Sequence, residues 1–124
     1  SGFARSAAGM ASLYYAGVSD GKEITKGLDY LDNFVPRARG GRADTEGNYF
    51  YGQYYAVQAM FLAGGKHWNE WYPAIRDQLI QRQVKQTGMW NGDVSEEFST
   101  AMALLILQMP NRYLPVYSGK GPGS

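Results

Sequence analysis

The chain predicts an all-α fold built from antiparallel helical hairpins, on three observations. Five stretches carry helical patterning, and none alternates as a strand would. The helical stretches alternate between two kinds, one apolar on most sides and one apolar along a single stripe. Their spacing repeats with a period in the mid-forties, the length of two helices and two turns.

The first segment is expected from about Ala4 to Ala16, "ARSAAGMASLYYA", with Gly17 placed to end it. The second is expected from about Lys22 to Arg39. Its apolar positions Ile24, Leu28, Leu31 and Val35 form one stripe, and Pro36 should stop or kink it. "GGRADTEGN" then reads as a loop. The third segment is expected from about Tyr49 to Ala63, with only Gln53 and Gln58 interrupting its apolar surface, before Gly64 and Gly65. The fourth is expected from about His67 to Lys85, with Trp68, Trp71, Tyr72, Ile75 and Leu79 on one face. The fifth is expected from about Ser95 to Met109, stopped by Pro110. Ser95 is placed to cap it, and Glu96 and Glu97 fall in the first turn, where the helix dipole favours acids.

A helix apolar all round must be covered all round, whereas an amphipathic helix covers something on one side only. Segments one, three and five therefore predict an inner layer, and segments two and four an outer one. Ala7 to Gly17 matches Tyr54 to Gly64 in character at an offset of 47, and Tyr54 to Leu62 matches Ser99 to Leu107 at an offset of 45. Small residues (Ala8, Gly9, Ala56, Ala101) stand where helices would approach closely. "GNY" at Gly47 to Tyr49 precedes the third segment as "GMW" at Gly88 to Trp90 precedes the fifth.

Composition narrows the function classes. With 124 residues, the chain holds one domain or a piece of one. A formal net charge of +1 gives no field directed at nucleic acid or an anionic membrane. The absence of cysteine removes disulfides, thiolate metal sites and cysteine nucleophiles. No apolar run approaches the roughly 18 residues of a membrane span. The compartment, cytoplasmic or exported, is left open. Residues 1–117 are expected to form the repeat segment, and 118–124, "SGKGPGS", a flexible tail.

Gln83, Gly88 and Trp90 compose a Q-x4-G-x-W pattern. It resembles the QW repeat of squalene-hopene and oxidosqualene cyclases, in which glutamine and tryptophan knit the end of an outer helix to the start of the next inner one. The wider pattern, over most of residues 3 to 117, is similar to the prenyltransferase and squalene-oxidase repeats of α/α toroids. Ser99 to Tyr117 resembles the C-terminal end of such proteins, especially bacterial ones. The resemblance implies a right-handed stack of hairpins forming part of a toroid. About two and a half hairpins can be read, too few to close a ring. Self-association, or attachment to the remainder of a larger parent protein, is therefore expected.

What makes the relatives enzymes is missing here. The cyclases use an Asp-x-Asp-Asp acid motif, and this chain has none. Prenyltransferase β subunits hold zinc with Asp, Cys and His, whereas this chain has no Cys and only His67. The resemblance therefore implies a non-catalytic scaffold or interaction role, with no cofactor and no metal. The alternative is part of a terpene cyclase or prenyltransferase-like enzyme acting on isoprenoids, its catalytic acid outside this chain.

Several residues invite a chemical reading. Tyr51, Tyr54, Tyr55 and Phe61, with Tyr49 and Phe50 before them, could form a wall for a hydrophobic ligand such as an isoprenoid lipid. Packing between inner helices explains them as well. Asp29 and Asp32 lie one turn apart and could bind Mg²⁺ and a diphosphate, but a solvated outer face accounts for them. Glu96 and Glu97 could be a catalytic acid and its partner, against a helix-capping role. His67 has no second histidine or cysteine beside it and is expected at the surface. Arg37, Arg39 and Arg42 could meet a phosphate, with Asp44 and Glu46 nearly balancing them.

Overall fold

The computed structural model describes residues 2–37 and 47–111. The expectations for Arg39, Arg42, Asp44, Glu46 and the tail 118–124 concern positions outside the described residues. The described residues are helical with no strand: α1 (Gly2–Tyr15), α2 (Lys22–Asp32), α3 (Tyr49–Ala63), α4 (Gly65–Arg82) and α5 (Glu96–Leu107), followed after a turn at Gln108 by a short helical stretch at 109–111. The all-α expectation holds.

Helix ends follow local chemistry. α2 stops at Asp32, well before Arg39. Pro36 has no N–H for the Asp32 carbonyl, and it also biases Val35 away from helical backbone. Asn33 closes the end, its side-chain amide donating to the Tyr30 carbonyl at 3.1 Å. α3 keeps its expected span. Gly64 and Gly65, with φ of 73° and 51°, turn the chain at once into α4, which therefore begins two residues earlier than expected. Pro73 lies within α4; the carbonyl it leaves without a helical donor belongs to Asn69, which is exposed to water. The Ser95 hydroxyl caps α5 by accepting from the Phe98 N–H at 3.0 Å, with Glu96 and Glu97 in the first turn. α5 ends at Leu107, where Pro110 cannot donate to the Ile106 carbonyl, but Pro110 interrupts the helical path and does not stop it, since the backbone is helical again at 109–111 after a turn at Gln108.

Consecutive helices run antiparallel. Tyr49 reaches Gln78, Gln53 reaches Trp71, and Phe61 meets Trp68, so α3 and α4 pair end to start. Phe3 stacks on Phe34, and Met10 lies against Gly27, which orients α1 and α2 the same way. α3 stands between α1 and α5, α2 packs on α1, and α4 packs on α3 and α5. The core centres on fully buried Phe3, which stacks on Phe34 at 5.0 Å and on Trp71 at 6.4 Å, and continues through Leu31, Val57, Met60, Ile75, Leu79 and Ile106.

The expectation that segments one, three and five are covered all round needs correction. α3 is buried around most of its circumference, but α1 and α5 are not. α1 buries Phe3, Ala4, Ala7, Met10 and Ala11, and α5 buries only Ser99, Ala103 and Ile106, so each is covered on a single side. They stand at the two ends of the row, where no described helix covers the outward side.

The second repeat offset also changes. Phe3 lies against Gly52, and Phe50 lies beside Ser99, since a side chain at Gly92 would touch both Phe50 and Ser99. The two pairs are related by 47 residues in each member. Both steps of the row therefore share the offset 47, in place of 45 for the second. A slip of two residues turns a helix face by about 200°. The run from Ala101 to Leu107 is apolar on every side, so its letters do not mark which side meets α3; packing does.

Candidate ligand-facing surface and interhelical joint

The segment between α4 and α5 is held by side chains. The Gln83 amide donates to the Gly88 carbonyl at 2.9 Å, while the Gln83 backbone N–H closes α4 on the Leu79 carbonyl at 3.1 Å. Gly88 adopts φ of 73°, a left-handed conformation that suits glycine. Backbone bonds from Val84 to Met89 and from Gly88 to Val84 tighten the turn. Trp90 is 3% exposed. Its indole N–H donates to the Leu79 carbonyl at 2.8 Å, and its backbone N–H donates to the Thr100 hydroxyl on α5 at 2.9 Å. One residue thus ties the end of α4 to the body of α5.

The tyrosines occupy a different place. α4 takes the side of α3 that carries Tyr49 and Gln53: the Tyr49 hydroxyl donates to Gln78, and the Trp71 indole donates to Gln53 at 3.1 Å. Helical periodicity then puts Tyr51, Tyr55 and Gln58 on the opposite side of α3. There the rings of Tyr51 and Tyr55 meet edge to face at 4.9 Å, and those of Tyr54 and Tyr55 at 5.1 Å. Tyr51 is exposed, and Tyr54 and Tyr55 are half-buried. α1 contributes Tyr15, whose hydroxyl donates to the Gln58 side chain; that amide in turn donates to the Tyr54 carbonyl at 3.2 Å. Phe61 does not join this group. Its ring packs edge to face on Trp68 at 5.1 Å, and Trp68 stacks on Tyr72 at 4.7 Å.

This surface offers rings and neutral hydroxyls. Burial raises the Tyr55 phenol above its ordinary range, with Tyr51 and Tyr54 adding to the effect. Such phenols stay protonated at neutral pH and act as hydrogen-bonding groups, not as bases.

The other candidates are dispersed. Asp29 and Asp32 are exposed on α2, and Asp32 lies 3.6 Å from His67 at the start of α4. Glu96 and Glu97 occupy the first turn of α5. Arg37 is exposed, and its carbonyl accepts from the Gln78 amide at 3.0 Å. Among the described residues no three His, Cys, Asp or Glu side chains gather as a metal site. A cavity of about 80 Å³ between the starts of α3 and α5 is lined by Asn48, Tyr49, Phe50, Asp93, Phe98 and Ser99. Ligand pockets begin near 300 Å³, so it is too small for an isoprenoid chain.

The buried glutamines carry more of the structure than their sequence context suggests. Gln53, Gln58 and Gln78 bridge α3 to α4, α1 to α3, and α4 to Tyr49 and the Arg37 carbonyl. Two of them were visible as the polar interruptions of the third segment. Gln78 stands seven residues after Trp71 on the buried stripe of α4, a position that could have marked it.

Tyr49 gives a pH test. Burial pushes its phenol well above the ordinary tyrosine range, and the Arg82 guanidinium lies 4.0 Å over its ring. As pH rises, the unfolded chain releases this proton first, near pH 10. The stability that this group contributes is present below about pH 10 and is lost above it. In urea titrations at stepped alkaline pH, Tyr49→Phe is expected to reduce the loss by up to about 1.4 kcal/mol per pH unit. Equal slopes for both proteins would count against a buried phenol.

Comparison with family models, with curated proteins and with solved structures finds no match to this chain. None of the described helices is long and apolar enough to cross a membrane.

Proposed function

We propose that the chain is a non-catalytic helical-repeat segment of the α/α-toroid kind, similar to squalene cyclase and prenyltransferase repeats, with a scaffold or interaction role. The observation that carries this reading is the recurring packing step. Phe3 lies against Gly52, and Phe50 and Ser99, each 47 residues further on, come together around Gly92, as expected of a repeat stack. The buried polar side chains join helices to one another: Gln53, Gln58, Gln78 and Trp90 each bridge two elements. The side of α3 that bears Tyr51 and Tyr55, turned away from α4, is the wall offered to a hydrophobic ligand, an isoprenoid lipid being the class that the repeat resemblance suggests.

The test is incubation of the purified chain with squalene and, separately, farnesyl diphosphate, followed by product analysis and native mass spectrometry. Both compounds are expected back unchanged. Retention of squalene by the chain, weakened in Tyr55→Ala, would support the ligand wall. A cyclised or transferred product would overturn the non-catalytic reading.

A further inference from the structure

The 47-residue step can be extended past both ends of the row. The side of α1 that meets α3 is marked by Phe3, and the corresponding position on α3 is Phe50, which shares Gly92 with Ser99 of α5. One further step leads to Glu97, on the uncovered side of α5 with Ala101 and Leu104. The receiving positions behave in the same way. Gly52 receives Phe3, and Ser99 lies beside Phe50; one step back from Gly52 is Arg5, on the uncovered side of α1 with Gly9 and Ser12. Thus the two ends of the row carry the two halves of one contact. Where the internal contacts pair a phenylalanine with a small residue, the ends pair an acid with a base.

The neighbours of Arg5 and Glu97 fit the same step. Gly9 corresponds to Ala56 and Ala103, both fully buried small residues at helix contacts. A Cβ added at Gly9 would meet no described residue, and a groove lined by Gly9, Leu13, Lys26 and Tyr30 runs between α1 and α2. On the other end Leu104 is 47% exposed, at the position corresponding to buried Met10 and Val57. Where the row continues, as at Met10 and Val57, this position is buried.

We propose that a second copy of this chain docks head to tail, the open side of α5 lying parallel on the open side of α1, with Glu97 of one copy beside Arg5 of the next. This deepens the scaffold reading and rests on it. The contact is heterologous, so each dimer still presents both open ends and growth continues unless the rotation closes a ring.

The experiment is sedimentation of the full chain from about 10 to about 500 µM, where a weak self-association with a Kd in that range shows. Wild type is expected to grow beyond a dimer with concentration. Arg5→Glu and Glu97→Arg are each expected to weaken self-association roughly tenfold or more, by placing like charges together. Both sites are exposed, and the first-turn acid lost in Glu97→Arg contributes little to α5 at an exposed position, so helical content by circular dichroism should be nearly unchanged. An equimolar mixture of the two variants is expected to recover assembly, because Glu97 of one meets Arg5 of the other. Gly9→Leu should block assembly without altering the fold.

A wild type monomeric throughout the range would overturn the proposal. So would assembly that ignores both charge reversals, or that the mixture fails to restore. These outcomes are separate from the turnover test above: product formation overturns the scaffold reading, while failure to assemble without product overturns only the head-to-tail contact.

Discussion

Trp90→Ala is expected to destabilise the chain by about 3 kcal/mol, within the range for truncating a large core side chain. The indole is almost wholly buried in the seam between α4 and α5 and belongs to the main hydrophobic cluster. Alanine would leave a cavity there, and the Leu79 carbonyl would lose its indole donor while keeping the Gln83 N–H. Most of the loss therefore comes from volume and contacts, and less from the hydrogen bond. Trp90→Phe separates the two parts. It keeps much of the ring and removes the donor, for a cost nearer 1 kcal/mol plus whatever volume is lost. Chemical denaturation of the three proteins reads both effects. A Trp90→Ala protein as stable as wild type would refute the joint as a structural element.

Glycine-to-alanine substitution is expected to change sign between two positions on the row. Helix propensity alone says that alanine should stabilise by about 1 kcal/mol at an interior helical glycine. Gly9→Ala should show that gain, or most of it, since no described atom lies within reach of the new methyl group. Gly52→Ala should do the reverse. Its methyl carbon would stand 2.5 Å from the Phe3 ring and 3.3 Å from the Ala4 Cα. Phe3 is fully buried between Phe34 and Trp71 and has nowhere to turn, and the Ala4 contact is backbone. Overpacking of this kind costs about 1–3 kcal/mol, enough to cancel the propensity gain and exceed it. Phe3→Leu in the Gly52→Ala background should recover part of the loss by making room. If both alanine variants were more stable than wild type, the close approach of α1 and α3 would be wrong.

The helices were legible because periodicity, glycine and proline are local signals. α3 begins at Tyr49 and ends at Ala63 as its pattern and its two following glycines predict. Ser95 caps α5 as its place before two glutamates suggests. The overlong expectation for the second helix has a local cause too. Its stripe continues to Val35, but Pro36 takes effect back to Asp32, the residue whose carbonyl it cannot serve.

The candidate site was legible only in part. Gln83, Gly88 and Trp90 have a pattern of their own, and the structure brings them into one turn. The aromatic cluster had no such pattern. Tyr51, Tyr54 and Tyr55 come together while Phe61 goes to Trp68, because that partition depends on where α4 crosses α3. A one-dimensional pattern carries the angular position of each side chain but not the neighbour that will cover it.

The sequence by itself determined the all-helical class, the span of α3, the Ser95 cap of α5 and the residues of the turn after α4, since each depends on backbone hydrogen bonding and sterics within a few residues. Only the tertiary structure decided the register of the row. Phe3 chose Gly52 and Phe50 came to rest beside Ser99, and with that choice one offset served both steps. It also decided which sides stay uncovered, leaving Arg5 and Gly9 at one end and Glu97 and Leu104 at the other. The physical reason is that a helix apolar on every side has no preferred face until shape complementarity with its neighbours selects one.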